Sequence, residues 1–200
     1  LIKQLTKGKW IVTDYHGISS DGEKLYITGT KESPLERHLY CVDTKSGKSE
    51  NLTNVSGYHS ITANEDCSMF IDNYASTKVP REVRLLGEKG AVLEVLHTAT
   101  NPLSDYKLGE MELGVLKGKS GDDLHYRVFK PIDFDANRKY PVVVYLYNGP
   151  HLQLVTNKWQ GGANLWYQYM AQKGYVVFSI DGRGSADRGF EFESTIHRNC

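Results

Sequence analysis

The sequence contains 200 residues, and its 24 basic and 24 acidic side chains give a formal net charge of zero at pH 7. This balance gives no excess of basic residues of the kind that indicates nucleic-acid binding. No apolar run approaches the ~18 residues of a membrane-spanning helix. The three cysteines, Cys41, Cys67 and Cys200, are widely spaced and lie in no cluster with metal-ligand spacing. We therefore expect them to be small buried hydrophobic residues, and we expect no metal site and no organic cofactor.

The first hundred residues are rich in alternating strand patterns that repeat. The segment at residues 18–27, a polar turn followed by a strand, recurs at 61–71, and residues 5–6 recur as 52–53. The offset is about 43–47 residues, which is the length of a four-stranded propeller blade. Because stacked repeats usually need three or more neighbours to bury their faces, two blades indicate part of a larger propeller.

A polar, proline-containing segment at residues 98–107 separates these repeats from the second half of the chain. Beyond it, runs at 110–116 and 124–130 flank a polar turn at 119–123 and predict a pair of antiparallel strands. The apolar run at 141–146 predicts a strand that is covered on both faces.

A helix is predicted next, at residues 163–173, and Gly174 is placed to end it in the left-handed conformation. Its large apolar residues form one helical face, made of Leu165, Trp166, Tyr169 and Met170. The run at 175–180 predicts a second buried strand. Strand, helix and strand in this order make one βαβ unit of a parallel sheet.

Four segments carry a resemblance to a known family. They are YLYNGP at residues 145–150, DGRGS with a following RG at 181–189, IHRN at 196–199 and SPLERHLY at 33–40. In these segments the chain resembles the prolyl oligopeptidase family of serine peptidases, and within it the dipeptidyl peptidase IV branch, in the form of a bacterial member. The resemblance runs over nearly the whole chain.

The resemblance implies a β-propeller that covers an α/β-hydrolase domain with a Ser-Asp-His triad. Residues 1–103 would then be the C-terminal blades of the propeller, and residues 104–200 the N-terminal part of the hydrolase domain, truncated before the nucleophile. The sequence contains no G-x-S-x-G, the pattern that marks a nucleophile elbow. We expect the triad beyond Cys200, and the acidic pair that captures a substrate's amino terminus before Leu1.

The implied activity of the parent protein is that of a serine exopeptidase that releases N-terminal X-Pro or X-Ala dipeptides from peptides. The chain alone lacks the triad and is expected to be inactive. Peptide substrates are the expected partners, and a homodimer of the parent is left open. A bacterial parent would be periplasmic or secreted.

Tyr147 is the one residue to which the resemblance assigns a catalytic role, because it matches the family tyrosine whose hydroxyl helps to form the oxyanion hole. A phenol at the carboxyl end of a parallel strand can point into the cleft where such sheets hold ligands. Its hydroxyl can donate a hydrogen bond to a developing oxyanion. Tyr145, two residues earlier, is expected to pack, and Asn148 and Gly149 are expected to shape the turn.

Three other polar residues of the last segment are interpreted as structural. Ser185 lies among glycines, but its spacing is not that of a nucleophile elbow. Asp181 is interpreted as a turn residue or as the ion-pair partner of Arg183 or Arg198. His197 has no partner serine in this chain and is interpreted as a surface or interdomain residue.

Two other readings of function stay open. The parent could be a related acylaminoacyl peptidase or prolyl endopeptidase of the same fold, or the chain could be a non-catalytic propeller binding module with an accessory α/β segment. A Glu-Glu pair upstream of the chain would distinguish a dipeptidyl peptidase from an endopeptidase. Labelling of the parent by a fluorophosphonate would distinguish a hydrolase from a binding module.

Overall fold

The computed structural model of the protein describes residues 3–198. The chain divides into two compact units, Leu1–Thr100 and Asn101–Cys200. This division falls inside the polar segment at residues 98–107. We describe each unit by itself, and the predicted domain boundary after residue 103 stays a prediction.

The first unit consists of two four-stranded antiparallel sheets, in each of which neighbouring strands follow one another along the chain. The first sheet is made of β1 (Val12–Ile18), β2 (Lys24–Gly29), β3 (His38–Asp43) and β4 (Ser49–Asn51). The second is made of β5 (Tyr58–Ala63), β6 (Met69–Ala75), β7 (Glu82–Gly87) and β8 (Val92–Thr98). Each sheet is a blade of a β-propeller, and the predicted repeat is confirmed, since each strand of the second blade begins about 43 to 46 residues after its counterpart.

The two blades share one hydrophobic core, whose members come from both sheets. The ring of Tyr26 on β2 lies 5.1 Å from that of Phe70 on β6. The buried side chains of this cluster are Tyr26, Leu39, Leu52, Cys67, Phe70 and Leu86. Cys67 is buried and Cys41 is half-buried, which agrees with the expected role of these cysteines, whereas Cys200 lies outside the described residues.

Two matching glycines close the outer hairpins of the blades. Gly47 and Gly90 have left-handed backbones, with φ of 75° and 78°. A Cβ atom at Gly47 would lie 2.4 Å from the carbonyl oxygen of Leu5, and one at Gly90 would lie 2.2 Å from that of Leu52. The repeat seen in the sequence at residues 5–6 and 52–53 is therefore a repeated contact, in which a hairpin turn packs on a backbone carbonyl.

The second unit contains one mixed sheet with the strand order β11-β12-β10-β9. Its strands are β9 (Met111–Lys117), β10 (Asp123–Phe129), β11 (Val142–Val144) and β12 (Val176–Ile180). β10 pairs antiparallel with both β9 and β12, whereas β11 and β12 are parallel. In the described residues two α-helices complete the unit, α1 (Trp166–Gln172) between the parallel strands and the short α2 (Phe190–Glu193) after them. Short 3-10 helices lie at Trp159–Gly162 and Ser194–Ile196.

This order confirms the predicted antiparallel pair, the βαβ unit and the assignment to the N-terminal part of an α/β-hydrolase domain. Gly174 ends α1 as expected, with φ of 87°. The amide of Tyr175 donates to the Met170 carbonyl at 3.1 Å, which is the bond that closes a Schellman motif.

The prediction that the strand at 141–146 is covered on both faces is wrong. The regular strand is limited to β11, and the side chains of Val142 and Val144 are each 57% exposed. Among residues 3–198, β11 stands at the edge of the sheet and pairs with β12 alone. Only Val143 turns inward, toward the core of Phe129, Tyr167, Ala171 and Val177.

Of the four residues in the predicted apolar face of the helix, Met170 alone is half-buried and packs against the core. Leu165, Trp166 and Tyr169 are between 44% and 54% exposed. The buried residues of α1 are instead Tyr167, Gln168 and Ala171. Gln168 is drawn inward because its Nε2 donates to Gln160 Oε1 at 2.8 Å, a polar contact that apolar periodicity does not register.

Alanine at Gly47 is expected to destabilise the protein more than alanine at Gly22. Both glycines are left-handed, with φ of 75° and 72°, so alanine at either position costs ~1–2 kcal/mol in backbone conformation. Only at Gly47 does the new Cβ also meet a carbonyl oxygen, since nothing lies within 4 Å of the Gly22 position. Urea unfolding of the two variants measures the difference, and equal losses of unfolding free energy would contradict the close contact.

Candidate functional site

Tyr147 lies just beyond the carboxyl end of β11. The pairing of β11 with β12 extends past the regular strand, because the amide of Tyr145 donates to the Phe178 carbonyl at 2.9 Å. The Tyr147 side chain is 53% exposed, and within residues 3–198 its hydroxyl has no hydrogen-bond partner. The phenol therefore stands at the strand end where parallel sheets hold their ligands, with its donor unused by the described part of the chain.

Tyr145 has a different environment on the same segment. Its ring packs edge-on against Tyr167 of α1, with 6.0 Å between the ring centroids. Tyr145 thus contributes to the contact between β11 and α1. The two tyrosines form a natural pair for comparison, one packed on a helix and one at the strand end.

Asn148 and Gly149 shape the turn that follows Tyr147. Asn148 has φ of 51°, a left-handed conformation that asparagine tolerates better than most residues. Its Oδ1 accepts a hydrogen bond from the Gly182 amide at 2.8 Å. At Gly149 a Cβ atom would lie 2.8 Å from Cε1 of Tyr147, so the tyrosine ring rests against this glycine.

Asp181 directly follows β12 and is only 2% exposed. Its Oδ1 accepts from the Leu154 amide at 3.0 Å and its Oδ2 accepts from the Val155 amide at 2.8 Å. The expected ion pair with Arg183 or Arg198 is not formed: Arg183 lies 3.4 Å from Asp122 instead. The carboxylate is therefore held by backbone amides of the segment that follows Tyr147.

Burial raises the pKa of Asp181, although four weaker influences act the other way. These are the hydrogen bonds from Val155 and Leu154 and the positive charges of Arg127 and Arg188. Desolvation disfavours the charged carboxylate more than amides and guanidinium groups favour it.

Arg127 is a buried cation that pattern analysis of the sequence missed. Its guanidinium is 2% exposed. It donates through Nη1 to the carbonyls of Leu154 and Gly161, the second at 2.8 Å, and through Nη2 to the Tyr167 hydroxyl at 3.2 Å. The alternation of β10 was a usable signal, because it puts Arg127 on the same face of the strand as the buried Phe129.

Arg188 is a second cation near Asp181. Its Nη2 donates to the Asp123 carbonyl at 2.8 Å, and its guanidinium lies 4.3 Å from the centroid of the Phe192 ring. Burial lowers its pKa, while Asp123, Asp122 and Asp181 oppose that effect. Together Arg127 and Arg188 make the buried surroundings of Asp181 cationic.

Ser185 is placed where it cannot act as a nucleophile. Its side chain is fully buried, and its Oγ has no hydrogen-bond partner among the described residues. In the part of the chain that the structure describes, no imidazole is hydrogen-bonded to it to accept its proton. His197 and Arg198 are exposed, and Asn199 of the same segment lies outside the described residues.

The described part of the chain therefore offers a phenol donor at a strand end, without a nucleophile and its base. Within residues 3–198 no group of three His, Cys, Asp or Glu side chains could hold a metal ion. No helix in that range is long and apolar enough to cross a membrane.

Comparison with known proteins connects this geometry to a family. Residues 1–81 match the dipeptidyl peptidase IV N-terminal region, and residues 163–200 match the prolyl oligopeptidase family. The chain belongs to the prolyl oligopeptidase family, in its dipeptidyl peptidase IV branch. The two matches fall on the blades and on the βαβ region, in the order expected.

Individual relatives extend the similarity over almost the whole chain. Human dipeptidyl peptidase 8 is 34% identical over 208 residues, which cover 96% of this chain and 23% of that protein. The crystal structure of a candidate dipeptidyl aminopeptidase IV from Bacteroides ovatus superposes with a TM-score of 0.90 at 39% identity, over 98% of this chain and 28% of that one. Dipeptidyl peptidase 4 of Porphyromonas gingivalis gives 0.89 at 31% identity, over 97% and 28%. The chain thus spans about a quarter of the length of its relatives.

Replacing Ser185 by alanine is expected to leave the unfolding free energy unchanged or to raise it. A buried hydroxyl without a partner costs ~1–3 kcal/mol, and the substitution removes that group. Ser76→Ala is the matched control, since the Ser76 hydroxyl accepts from the amides of Lys78 and Val79 at 3.3 and 3.2 Å and its loss should destabilise. Urea unfolding measures both variants. A clear loss of stability for Ser185→Ala would show that the hydroxyl has a partner.

Proposed function

We propose that the chain is part of a serine exopeptidase that releases N-terminal X-Pro or X-Ala dipeptides from peptides. The relatives that match it are named dipeptidyl peptidases, which supports this activity over that of an endopeptidase or an acylaminoacyl peptidase. In this proposal residues 1–103 are the C-terminal propeller blades and residues 104–200 the N-terminal part of the catalytic domain.

The observation that carries the proposal is the placement of Tyr147. Its hydroxyl stands at the carboxyl end of a parallel strand, on a half-exposed side chain, with no partner among the described residues. A donor that is already bound to another group could not move to an oxyanion without losing that bond. Tyr147 has no such competitor within residues 3–198, which suits a donor that acts on substrate.

In the proposed reaction, a serine hydroxyl supplied by another part of the parent protein gives its proton to a histidine, and its oxygen adds to the carbonyl carbon of the scissile peptide bond. The carbonyl oxygen becomes an oxyanion, and the Tyr147 hydroxyl donates a hydrogen bond to it. The amine then leaves with a proton from a histidine, and water hydrolyses the serine ester. Only the hydroxyl of Tyr147 is assigned to this chain.

In the full-length parent, Tyr147→Phe is expected to lower kcat and to change KM little. The oxyanion exists only after attack, so the lost hydrogen bond acts on the transition state and not on substrate binding. Removal of one such donor costs ~10²–10³ in rate, or ~2.7–4 kcal/mol. Steady-state hydrolysis of a Gly-Pro chromogenic substrate gives both constants.

Tyr145→Phe is the matched control, because it removes the same hydroxyl from a tyrosine that packs on α1. It should keep kcat within about threefold of the parent's, since the ring contact remains. Thermal melts verify that both variants fold. If folded Tyr147→Phe also keeps kcat within about threefold of the parent's, Tyr147 has no role in the chemistry.

The 200-residue chain alone is expected to show no hydrolysis of the same substrate and no labelling by a fluorophosphonate. Its sequence contains no nucleophile elbow, and Ser185 is buried. Turnover that survives purification and is abolished by Ser185→Ala would contradict both statements. Labelling of the full-length parent under the same conditions is the positive control.

A further inference from the structure

Two loops at the carboxyl ends of the parallel strands are joined by hydrogen bonds in both directions. We call them loop 148–155, which follows Tyr147, and loop 181–186, which follows β12. Asn148 in the first loop accepts from the Gly182 amide at 2.8 Å, whereas Asp181 in the second accepts from two amides of the first. The amide of Ala186 also donates to the Leu152 carbonyl at 3.2 Å.

Asp181 makes the strongest of these connections. Each oxygen of its carboxylate accepts a hydrogen bond from one backbone amide, from Leu154 at 3.0 Å and from Val155 at 2.8 Å. Hydrogen bonds to a carboxylate are about twice as strong as neutral ones. Asp181 is itself fixed to the sheet, since its amide donates to the His125 carbonyl of β10 at 3.0 Å.

Loop 148–155 is also bound by a side chain of β10 and closely packed against loop 181–186. Arg127 donates to the carbonyl of Leu154, the residue whose amide Asp181 holds. At Gly184 a Cβ atom would lie 2.9 Å from the Asn148 carbonyl oxygen. The backbone that follows Tyr147 is therefore fixed by β10 and by loop 181–186, while the backbone before it is fixed by the bond from the Tyr145 amide to Phe178.

We propose that Asp181 is a positioning residue for Tyr147. Its hydrogen bonds attach loop 148–155 to the end of β12 and so set the position of the Tyr147 hydroxyl. This inference rests on the function proposed above. Asp181 touches no substrate in this account, and it acts through the backbone of the loop. An oxyanion donor must stand within a narrow range of positions, and a displacement of about 1 Å can cost up to ~100-fold in rate.

The test is a double-mutant cycle in the full-length parent with Asp181→Asn and Tyr147→Phe. Asparagine keeps the shape of Asp181, but the NH2 group that replaces one carboxylate oxygen is a donor and cannot accept, so the bond made by that oxygen is lost. In the wild-type background, Asp181→Asn should lower kcat by about 10- to 100-fold with little change in KM. In the Tyr147→Phe background it should have almost no further effect, because the hydroxyl that it positions is absent.

Asp122→Asn is the matched control. It makes the same chemical change and releases Arg183 of loop 181–186, but Asp122 has no bond to loop 148–155. It should leave kcat within about twofold of the wild-type value, as expected of a half-exposed ion pair. A loss as large as that of Asp181→Asn would show that any disturbance of loop 181–186 is enough and would overturn the specific role of Asp181.

A second measurement reads the position of Tyr147 without any chemistry. Fluorotyrosine is introduced at position 147 of the full-length protein, and separately at 145, and the fluorine spectra are recorded with and without Asp181→Asn. The proposal predicts that the signal from 147 shifts or broadens and that the signal from 145 changes less. An unchanged signal from 147 in a folded variant would overturn the proposal.

These outcomes separate the two claims. Equal losses of kcat from Asp181→Asn in both backgrounds would mean a general structural role and would overturn the positioning role alone. A parent protein that releases no dipeptides, or a Tyr147→Phe variant with full activity, would overturn the function proposed for Tyr147 and the positioning role with it.

Discussion

The candidate site depends on one interaction, in which the buried carboxylate of Asp181 accepts hydrogen bonds from two backbone amides. Taking a charged carboxylate out of water costs several kcal/mol, and the raised pKa of Asp181 shows that burial outweighs its favourable partners. The compensation comes from the amides of Leu154 and Val155 and from the nearby charges of Arg127 and Arg188. A loop with no regular secondary structure is thereby bound to the end of β12, directly after the residue that carries the proposed chemistry.

The blades are organised on a different principle, repetition of one backbone contact. Gly47 and Gly90 close equivalent hairpins, and each leaves no room for a side chain beside the carbonyl of Leu5 or Leu52. Each turn therefore packs on the segment that enters its own blade, before β1 in the first blade and before β5 in the second. The contact between the blades also buries polar side chains: the rings of His38 on β3 and His59 on β5 lie 5.1 Å apart. Within the second blade, His59 pairs with Asp72 at 2.9 Å. A scaffold of this kind needs no long helices.

Features set by short-range chemistry could be predicted from the sequence. Glycine turns, the antiparallel pair and the end of α1 at Gly174 follow from residues close together in the chain, and the blade repeat follows from one short pattern that recurs. The buried face of α1 could not be predicted, because Gln168 is buried by a side-chain hydrogen bond to Gln160. The partner of Asp181 was missed for a similar reason, since backbone amides 26 and 27 residues away leave no mark on the composition. Tyr147 was found only through family resemblance, and its proposed role is still to be tested.

The most direct test of the central claim is to compare how tightly the full-length parent binds a dipeptide boronic acid and a product dipeptide. The boronic acid forms a tetrahedral adduct with the catalytic serine and presents an oxygen where the oxyanion would stand, whereas the product dipeptide does not. We predict that Tyr147→Phe weakens binding of the boronic acid by about 10²–10³-fold and leaves the Kd of the product within about twofold. Equal weakening of both ligands, or of neither, would contradict a role for Tyr147 at the oxyanion.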